Sequence, residues 1–506
     1  MSTQSSLNLK SQESGPVECL GQTFPSNEAR REHYLNLLAE KLKAPEFRKI
    51  EGFPIGEDED ILAISDPPYY TACPNPWLED FVRHYGTPYD PKKAYHREPF
   101  TADVSEGKTH PIYLAHSYHT KVPHRAIMRY ILHYTDPGEL VFDGFCGTGM
   151  TGVAAQLCGD RNEVQQLGYR VQQDGTILNE EGNAFSKLGA RRAVLNDLSP
   201  AASFIASNYL LPFDQAAFEK EAQRILSAIE SEMGWIYATA HTNGKPGRIN
   251  FTVWSDVFTC PECGGEIVFW EDAVEDGYVK DEIQCSHCKA SLRKRNLDRT
   301  ASVQLNPDTG KIEKKPKRQP VLINYSFAGE RYEKTPDKDD LTLVQTLAAH
   351  KIAQWYPTTV MERDSDLWME RDYTSLGIFS ADGFYSRRNL VMCSFARDAI
   401  MDSPPTMRRS LWFWFQSVLM GFSLVNRYRA KGFSQVNQIL SGTLYVGATT
   451  AEISPWYALS GKISRFKVLD FDKPAYQILS TASSSCLNVT PESLDYIFID
   501  PPFGSN

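Results

Sequence analysis

The stretch Val141-Phe142-Asp143-Gly144-Phe145-Cys146-Gly147-Thr148-Gly149 decides the fold. Its hydrophobic start predicts a buried strand, and the glycines that follow predict a tight turn. Gly147 and Gly149 allow the backbone to approach a ligand without a Cβ clash, and both can adopt positive φ. A helix that begins after the turn would place free N–H groups beside an anionic group. The stretch therefore predicts a strand–turn–helix unit of an α/β sheet with a ligand site at its turn.

Further strands of the same sheet are predicted far apart in the chain. Ala193-Val194-Leu195-Asn196-Asp197 predicts a second strand, and residues 160–190 between the two predict a hairpin or loop insertion. The sheet pattern resumes only near Phe466, so the intervening residues, from about 200 onwards, are predicted to be inserted into one domain. The last predicted strand, Tyr496-Ile497-Phe498-Ile499, runs into Asp500-Pro501-Pro502-Phe503.

These motifs together resemble those of S-adenosylmethionine-dependent DNA methyltransferases that modify exocyclic amino groups of adenine or cytosine. In that family an F-x-G-x-G turn binds the cofactor and [DNS]-P-P-[YFW] holds the target base. His119-Thr120-Lys121-Val122-Pro123 is similar to a segment that packs over the methionine end of the cofactor, and Asp197 to an acidic residue that ends the second strand. The large bacterial or phage methylases with a zinc-ribbon insertion are the most similar type.

The resemblance implies a set of site residues. The catalytic residues would be Asp500, Pro501, Pro502 and Phe503, and the cofactor-binding residues Lys121, Asp143, Phe145, Cys146, Gly147, Gly149 and Asp197.

The Asp500–Phe503 motif also has a chemical rationale. An exocyclic amine is a poor nucleophile because its lone pair is delocalised into the ring. A carboxylate and a backbone carbonyl that accept its two protons would free that lone pair, and prolines, which lack N–H donors and fix φ, can aim the carbonyl of Pro501. Phe503 would stack on an extruded base. A plain strand-ending turn is the alternative, since Asp-Pro-Pro is also turn chemistry.

A second copy of the motif, Asp66-Pro67-Pro68-Tyr69, also follows an apolar run. About 50 residues separate Tyr69 from His119, which is too few for the strands and helices that a base-site-first order requires at about 30 residues per βαβ unit. We therefore favour Asp500 as the catalytic copy. Asp66 would line the DNA or cofactor pocket, or belong to an X-Pro-Pro turn.

Two C-x-x-C pairs indicate a metal site. Cys260, Cys263, Cys285 and Cys288 have the spacing of a structural zinc ribbon, with 21 residues between the pairs and Glu266–Trp270 as a predicted ribbon strand. Basic residues follow, and phosphate contact and a solvated linker remain open alternatives for them: Lys289, Arg293, Lys294, Arg295, Arg299, Lys311, Lys314, Lys315, Lys317 and Arg318.

The composition is that of an ordinary globular protein of 506 residues, with a net charge of −10 that demands locally concentrated positive charge for nucleic-acid binding. No secretory signal or bilayer-length apolar stretch is visible, so we expect a cytoplasmic protein without a membrane partner. The predicted segments are a disordered tail (1–28), an N-terminal extension (29–110), the cofactor-binding half (111–210), an insertion with zinc ribbon and basic linker at 306–320 (211–330), a mainly helical insertion (331–460) and the resumed sheet (461–506).

The predicted fold is α/β, a doubly wound methyltransferase-like (Rossmann-like) sheet with an inserted zinc ribbon and helical region, apparently truncated at its C-terminus. The predicted activity is methyl transfer from S-adenosylmethionine to DNA, most readily to adenine N6, with one structural zinc ion and with a restriction or defence system as a further candidate partner. Two alternatives remain: an RNA amino-methyltransferase and a non-catalytic zinc-ribbon nucleic-acid-binding module. One departure from the family favours the module, because Thr481–Ser485 lacks the acidic residue that contacts the cofactor's adenine.

Overall fold

The computed structural model describes residues 15–92, 95–118, 121–212, 214–275, 277–364, 368–369, 373–431, 435–437, 439–440, 443–469 and 477–501. The chain divides into two compact units, one made of residues 1–215 with 466–506 and the other of residues 216–465. The second unit is therefore inserted into the sequence of the first, where the motif order predicts an interruption.

The helices of the first unit are α1 (Asn27–Leu42), α2 (Pro45–Arg48), α3 (Asp58–Ile64), α4 (Leu78–Tyr85), α5 (Pro111–Ala115), α6 (His124–Tyr134), α7 (Met150–Leu157), α8 (Arg161–Gln166) and α9 (Pro200–Leu210). Its strands are β1 (Val17–Cys19), β2 (Gln22–Phe24), β3 (Leu140–Asp143), β4 (Arg170–Val171), β5 (Thr176–Leu178), β6 (Ala184–Lys187) and β7 (Arg192–Asp197), with β21 (Gln477–Thr481) and β22 (Tyr496–Ile497) after the second unit.

A parallel sheet in the order β21-β7-β3-β22 forms the core of this unit. Val141 in β3 pairs with Ala193 in β7 on one side and with Tyr496 in β22 on the other. Val141 and Ala193 are fully buried, as is typical of parallel strands covered on both faces. Because the strands run the same way, their carboxyl ends meet at one edge. This confirms the prediction of an α/β fold with a parallel sheet.

The N-terminal region extends the sheet on its β21 side. The Leu479 N–H donates to the Tyr69 carbonyl oxygen at 2.8 Å, and the Thr481 N–H to that of Cys73 at 3.2 Å. Tyr70 and Leu479 form an isolated parallel bridge. The first Asp-Pro-Pro-Tyr copy therefore adjoins the β21 side of the sheet, whereas the Asp500 copy follows β22 on the other side.

Two local predictions for this unit have different outcomes. The insertion predicted at 160–190 is present as α8 and the antiparallel sheet β4-β5-β6. The disordered tail predicted at 1–28 is wrong for residues 17–28: β1 and β2 form a hairpin, and the Ser26 hydroxyl caps α1 by accepting the Ala29 N–H. Burial of Cys19 and Phe24 stabilises this hairpin despite its polar sequence. Residues 1–14 lie outside the described residues.

The helices of the second unit are α10 (Gln215–Met233, beginning at the unit boundary), α11 (Phe269–Ala273), α12 (Lys338–Ala349), α13 (Tyr373–Leu376), α14 (Arg387–Met401), α15 (Pro405–Phe422) and α16 (Pro455–Arg465). Its strands are β8 (Ala238–Ala240), β9 (Pro246–Thr259), β10 (Glu266–Val268), β11 (Val274–Glu275), β12 (Tyr278–Val279), β13 (Ile283–Gln284), β14 (Ser291–Leu292), β15 (Asp298–Arg299), β16 (Ala301–Leu305), β17 (Ile312–Pro316), β18 (Arg318–Phe327), β19 (Glu330–Lys334) and β20 (Thr449–Ile453).

The long strand β9 organises this unit. Strands β8, β10, β15, β18 and β20 all pair with it, and β19 pairs with β18. The predicted division into a zinc-ribbon part ending at 330 and a helical part beginning at 331 is therefore wrong, because paired strands cross that boundary. The predicted linker at 306–320 is also wrong: β17 pairs with β16, and β18 begins at Arg318. Pairing with neighbouring strands keeps this segment extended, although lysine and proline are depleted in strands.

Among the described residues, no helix combines the length and apolar character needed to cross a membrane.

Candidate functional site

The glycine turn joins β3 to α7 at the carboxyl edge of the sheet. Gly147 and Gly149 have φ values of +51° and +74°, where side chains are disfavoured. A Cβ on Gly149 would also lie 2.8 Å from the Ala206 Cβ in α9. Gly149 precedes the first residue of α7, so the free N–H groups of the first helical turn begin here. The turn needs glycine both for its backbone and for helix packing.

Asp143, the last residue of β3, holds this turn from beneath. Its carboxylate accepts the Phe145 N–H at 3.0 Å and the Thr151 hydroxyl at 2.5 Å. Burial raises the pKa of Asp143 to about 6, and the nearby charges of Asp197 and Asp500 act in the same direction. The carboxylates of neighbouring strand ends are thus close enough to affect one another.

Asp197, the last residue of β7, binds the turn from the side. Its Oδ2 accepts the Gly147 N–H at 2.7 Å, and its Oδ1 accepts the Ser199 N–H at 2.9 Å. Burial raises the pKa of Asp197 above its usual value. A carboxylate has about four lone-pair positions, so each oxygen of Asp197 can accept a further hydrogen bond from a ligand.

Lys121 lies under the same cleft, with its ammonium directed to backbone carbonyls at the end of α5. Its Nζ donates to the carbonyl oxygens of Tyr113 and, at 2.7 Å, of His116, and it lies 4.3 Å from the centre of the Tyr113 ring. The side chain therefore positions the 113–121 segment. His119 and Thr120 lie outside the described residues.

Asp500 reaches this cleft because β22 pairs with β3. The Phe498 N–H donates to the Phe142 carbonyl oxygen at 3.0 Å, which carries the chain past the strand to the carboxyl edge. The described residues that line the cleft are Tyr118, Lys121, Val122, Ile127, Asp143, Phe145, Cys146, Gly147, Thr148, Met150, Thr151, Phe498 and Asp500. Pro501 is exposed, whereas Pro502 and Phe503 lie outside the described residues.

The cleft has the character of a ligand site. The Thr148 hydroxyl oxygen is buried and has no hydrogen-bond partner among the described residues, and buried polar atoms are rarely left without one. Phe145, by contrast, is 39% exposed, which makes its ring available to a flat ligand. Strand ends that place a glycine turn and two carboxylates around such a cleft are typical of sites for a nucleotide-like cofactor.

Comparison with known families finds a match, and it covers most of the residues that line this cleft. Residues 74–169 match the family model described as DNA methylase. The match supports a DNA methylase of the adenine-N6/cytosine-N4 class for this part of the chain. No curated protein and no solved structure matches the chain. The matched segment includes Lys121 and the glycine turn. Asp500 lies beyond it and lines the cleft, and Asp197 lies beyond it and contacts the turn at Gly147.

The first Asp-Pro-Pro-Tyr copy contacts Arg30 of helix α1. Asp66 follows helix α3 rather than a strand, and its carboxylate pairs with Arg30 at 2.8 Å. Arg30 also donates to the Pro67 carbonyl oxygen and lies over the Tyr69 ring. Asp66 is not among the described residues that line the cleft. The contacts with Arg30 favour the alternative of an X-Pro-Pro turn for this copy, and they fix α1 to the sheet extension.

The carboxylate of Glu51 lies at the end of β21, although Glu51 is far from that strand in the sequence. Glu51 accepts the hydroxyls of Ser483 and Ser485, each at 3.2 Å, and its carbonyl oxygen accepts the Ser483 N–H at 3.1 Å. The Thr481–Ser485 segment lacks an acidic residue of its own, but a carboxylate from residue 51 lies on it. Only the packing of the loop after α2 against β21 reveals this, because the two segments are more than 400 residues apart.

The four predicted zinc ligands meet in the second unit. The Sγ atoms of Cys260 and Cys288 are 3.8 Å apart, as are those of Cys263 and Cys285, and all four lie within 4.8 Å of one another. Ligand atoms around tetrahedral zinc with 2.3 Å bonds are about 3.8 Å apart. The two C-x-x-C pairs lie in the β9–β10 and β13–β14 turns. The predicted strand Glu266–Trp270 ends at Val268, because α11 begins at Phe269.

Several residues of the basic run after the cysteines form ion pairs within the unit. Arg299 and Arg318 both pair with Asp256 at 2.8 Å, and Lys317 pairs with Glu266 at 2.7 Å. Lys315 pairs with Glu313, Arg293 reaches Glu282 at 4.0 Å, and Lys294 lies over the Phe269 ring. Half of the ten basic residues thus have acidic partners, which favours a folding role for these five.

Proposed function

We propose that the protein transfers a methyl group from S-adenosylmethionine to an exocyclic amino group of a DNA base, with adenine N6 as the target. The observation that supports this most strongly is the position of Asp500. It lies in the same cleft as Asp143, Phe145 and Gly147, although more than 350 residues separate it from the turn. A base-holding motif and a cofactor turn are useful together only if they share one cleft.

The residues present fit the cofactor. Its carboxylate would lie at the first turn of α7, where N–H groups are free beside Gly149, and the partnerless Thr148 hydroxyl offers a further polar contact. Asp197 would accept hydrogen bonds from the ribose hydroxyls, and Glu51 is positioned to replace the acidic residue missing from Thr481–Ser485. The carboxyl groups of Asp143, Asp197 and Asp500 are close enough to influence one another, and together they favour a ligand with positive charge.

The reaction divides between the cofactor and the chain. When bound, the cofactor supplies an electrophilic methyl group. Asp500 and the carbonyl of Pro501 would accept hydrogen bonds from the two N–H groups of the target amine, which localises the nitrogen lone pair for attack. As the nitrogen gains the methyl group it loses one proton, which the Asp500 carboxylate would accept. Since Pro502 has no backbone N–H group, no donor at this position would compete with the amine for the acceptor oxygens. Stacking of Phe503 on the base remains a prediction.

A structural zinc ion completes the proposal. The four thiols of the cysteine cluster fit zinc in spacing and chemistry, and the fold is then a methyltransferase-like sheet with a zinc ribbon in its insertion. The ion would hold the β9–β10 and β13–β14 turns together without taking part in methyl transfer.

Methyl transfer to defined nucleic acids tests the function. The protein is incubated with radiolabelled S-adenosylmethionine and either duplex DNA or structured RNA, and the products are digested to nucleosides. We expect label in DNA as N6-methyladenine. Label in N4-methylcytosine would change the target base, label in RNA alone would favour the RNA enzyme, and an absence of cofactor binding by equilibrium dialysis would favour the non-catalytic module.

A further inference from the structure

A second group of side chains that could bind a metal ion belongs to the first unit, whereas the four cysteines belong to the second. His110, His124 and Glu163 each offer one ligand atom, and these three atoms lie within 4.8 Å of one another. His110 precedes α5, His124 is the first residue of α6, and Glu163 lies in α8. We propose that these three residues bind a divalent transition-metal ion, with zinc as the occupant that their chemistry favours.

The most informative member of this cluster is His124. Its side chain is fully buried, and both ring nitrogens lack a hydrogen-bond partner among the described residues. A buried polar group without a partner is destabilising, and it is rare in native proteins. The His110 ring lies 4.7 Å from the His124 ring, in an edge-to-face arrangement. A metal ion bound by His124 would satisfy a nitrogen that has no protein partner.

Glu163 is oriented as a ligating carboxylate usually is. Its Oε2 accepts two N–H groups of Arg125, at 3.1 and 3.2 Å, while its Oε1 faces the His110 Nε2 at 3.5 Å. Carboxylates that bind metals are commonly fixed by a second partner in this way. The 3.5 Å separation is close to the spacing of about 3.3 Å between two ligands of tetrahedral zinc with bonds near 2.0 Å. Two imidazoles and one carboxylate are also an established zinc ligand set.

Binding requires one local change. The His110 Nδ1 accepts the Ile112 N–H at 3.2 Å, which leaves the proton of the neutral ring on Nε2. A metal ion on Nε2 moves that proton to Nδ1, so the Ile112 N–H must find another acceptor. Helix α5 is only five residues long and begins at this point, so it can adjust. The ion would then fix both ends of residues 111–123, the segment in which Tyr118 and Lys121 line the cleft.

Zinc content of purified variants tests the site. Wild-type protein, His110→Ala and Glu163→Gln are loaded with zinc, dialysed and analysed by plasma emission spectrometry. The exposed pair His96 and Glu98, 2.9 Å apart, provides matched controls as His96→Ala and Glu98→Gln. We expect each cluster variant to hold one zinc ion fewer per chain than the wild type and the controls. This difference does not depend on the cysteine site or on methyl transfer.

Equal zinc content in the wild type and both cluster variants would overturn the proposal. The two variants change different elements, so a folding defect in one, detected by circular dichroism, leaves the other to decide. Cobalt provides a second measurement. A Cys263→Ser/Cys288→Ser double variant titrated with Co²⁺ should show visible d–d absorption without thiolate charge-transfer bands. Loss of that absorption on adding His110→Ala supports the site, and its absence from the double variant contradicts it.

Discussion

The Asp197 carboxylate accepts the Gly147 N–H at 2.7 Å, which links the end of the second strand to the glycine turn after the first. Asp197 therefore shapes the turn, and in the proposed function it would also accept hydrogen bonds from the ribose hydroxyls. Asp197→Asn keeps one acceptor oxygen but removes the charge and the second acceptor. We expect the Kd for S-adenosylmethionine to rise about tenfold or more, because charged hydrogen bonds contribute about 1.5–3 kcal/mol. Isothermal titration calorimetry measures this, and unchanged affinity would contradict the assignment.

Asp500→Ala should separate chemistry from cofactor binding. We expect methyl transfer to fall by at least about a hundredfold, as for loss of a positioned proton acceptor, while cofactor affinity stays within about twofold. Single-turnover transfer to duplex DNA and equilibrium binding measure the two quantities.

The matched control for Asp500 is Asp66→Asn in the other copy of the motif. Its carboxylate pairs with the buried Arg30, so the substitution should lower the free energy of unfolding by about 3 kcal/mol and leave transfer per folded molecule unchanged. If Asp66→Asn abolished transfer and Asp500→Ala did not, the catalytic copy would be the first one.

Gly149→Ala and Gly147→Ala should differ in their effect on stability. Both positions have positive φ, which costs about 1–2 kcal/mol for a residue with a Cβ. At Gly149 the new Cβ would also lie 2.8 Å from the Ala206 Cβ, whereas at Gly147 the nearest atom, in Tyr118, is 3.5 Å away. Overpacking adds about 1–3 kcal/mol, so Gly149→Ala should be the more destabilising in urea unfolding. Equal losses would show that α7 and α9 do not pack this closely.

Asp143 should make stability depend on pH. Its pKa rises from 3.8 to about 6 on folding, so the folded protein binds more protons between these values. Stability from this residue therefore falls as the pH rises from about 4 to about 6, by about 3 kcal/mol in total, and is constant above that. Thermal midpoints of the wild type and Asp143→Asn should diverge over this window in favour of the variant. Parallel curves between pH 4 and pH 7 would rule out a buried, ionising Asp143.

Removal of the proposed zinc ion should destabilise the second unit. Cys263→Ser changes an exposed cluster member, and Cys486→Ser changes an exposed cysteine outside the cluster. We expect the first variant to lose one zinc ion per chain and to become sensitive to proteolysis near β13 and β14, and the second to behave as wild type. Retention of full zinc content by Cys263→Ser would argue against a four-cysteine site.

The sequence alone determined the local chemistry of this protein. The hydrophobic run before Asp143 and the glycines after it specify a strand and a turn, since backbone conformation at positive φ depends on the residue itself. The spacing of Cys260, Cys263, Cys285 and Cys288 likewise specifies two turns that can meet at one ion. Each of these signals depends on residues that are near one another in the chain.

The tertiary structure decided which distant residues share a site. Pairing of β22 with β3 brings Asp500 to the glycine turn, and pairing of residues 69–73 with β21 leaves Asp66 bound to Arg30. Glu51 reaches Ser483, and strands β18 and β20 join β9, through contacts between segments far apart in sequence. Such pairings depend on burial and strand register, which no local pattern encodes.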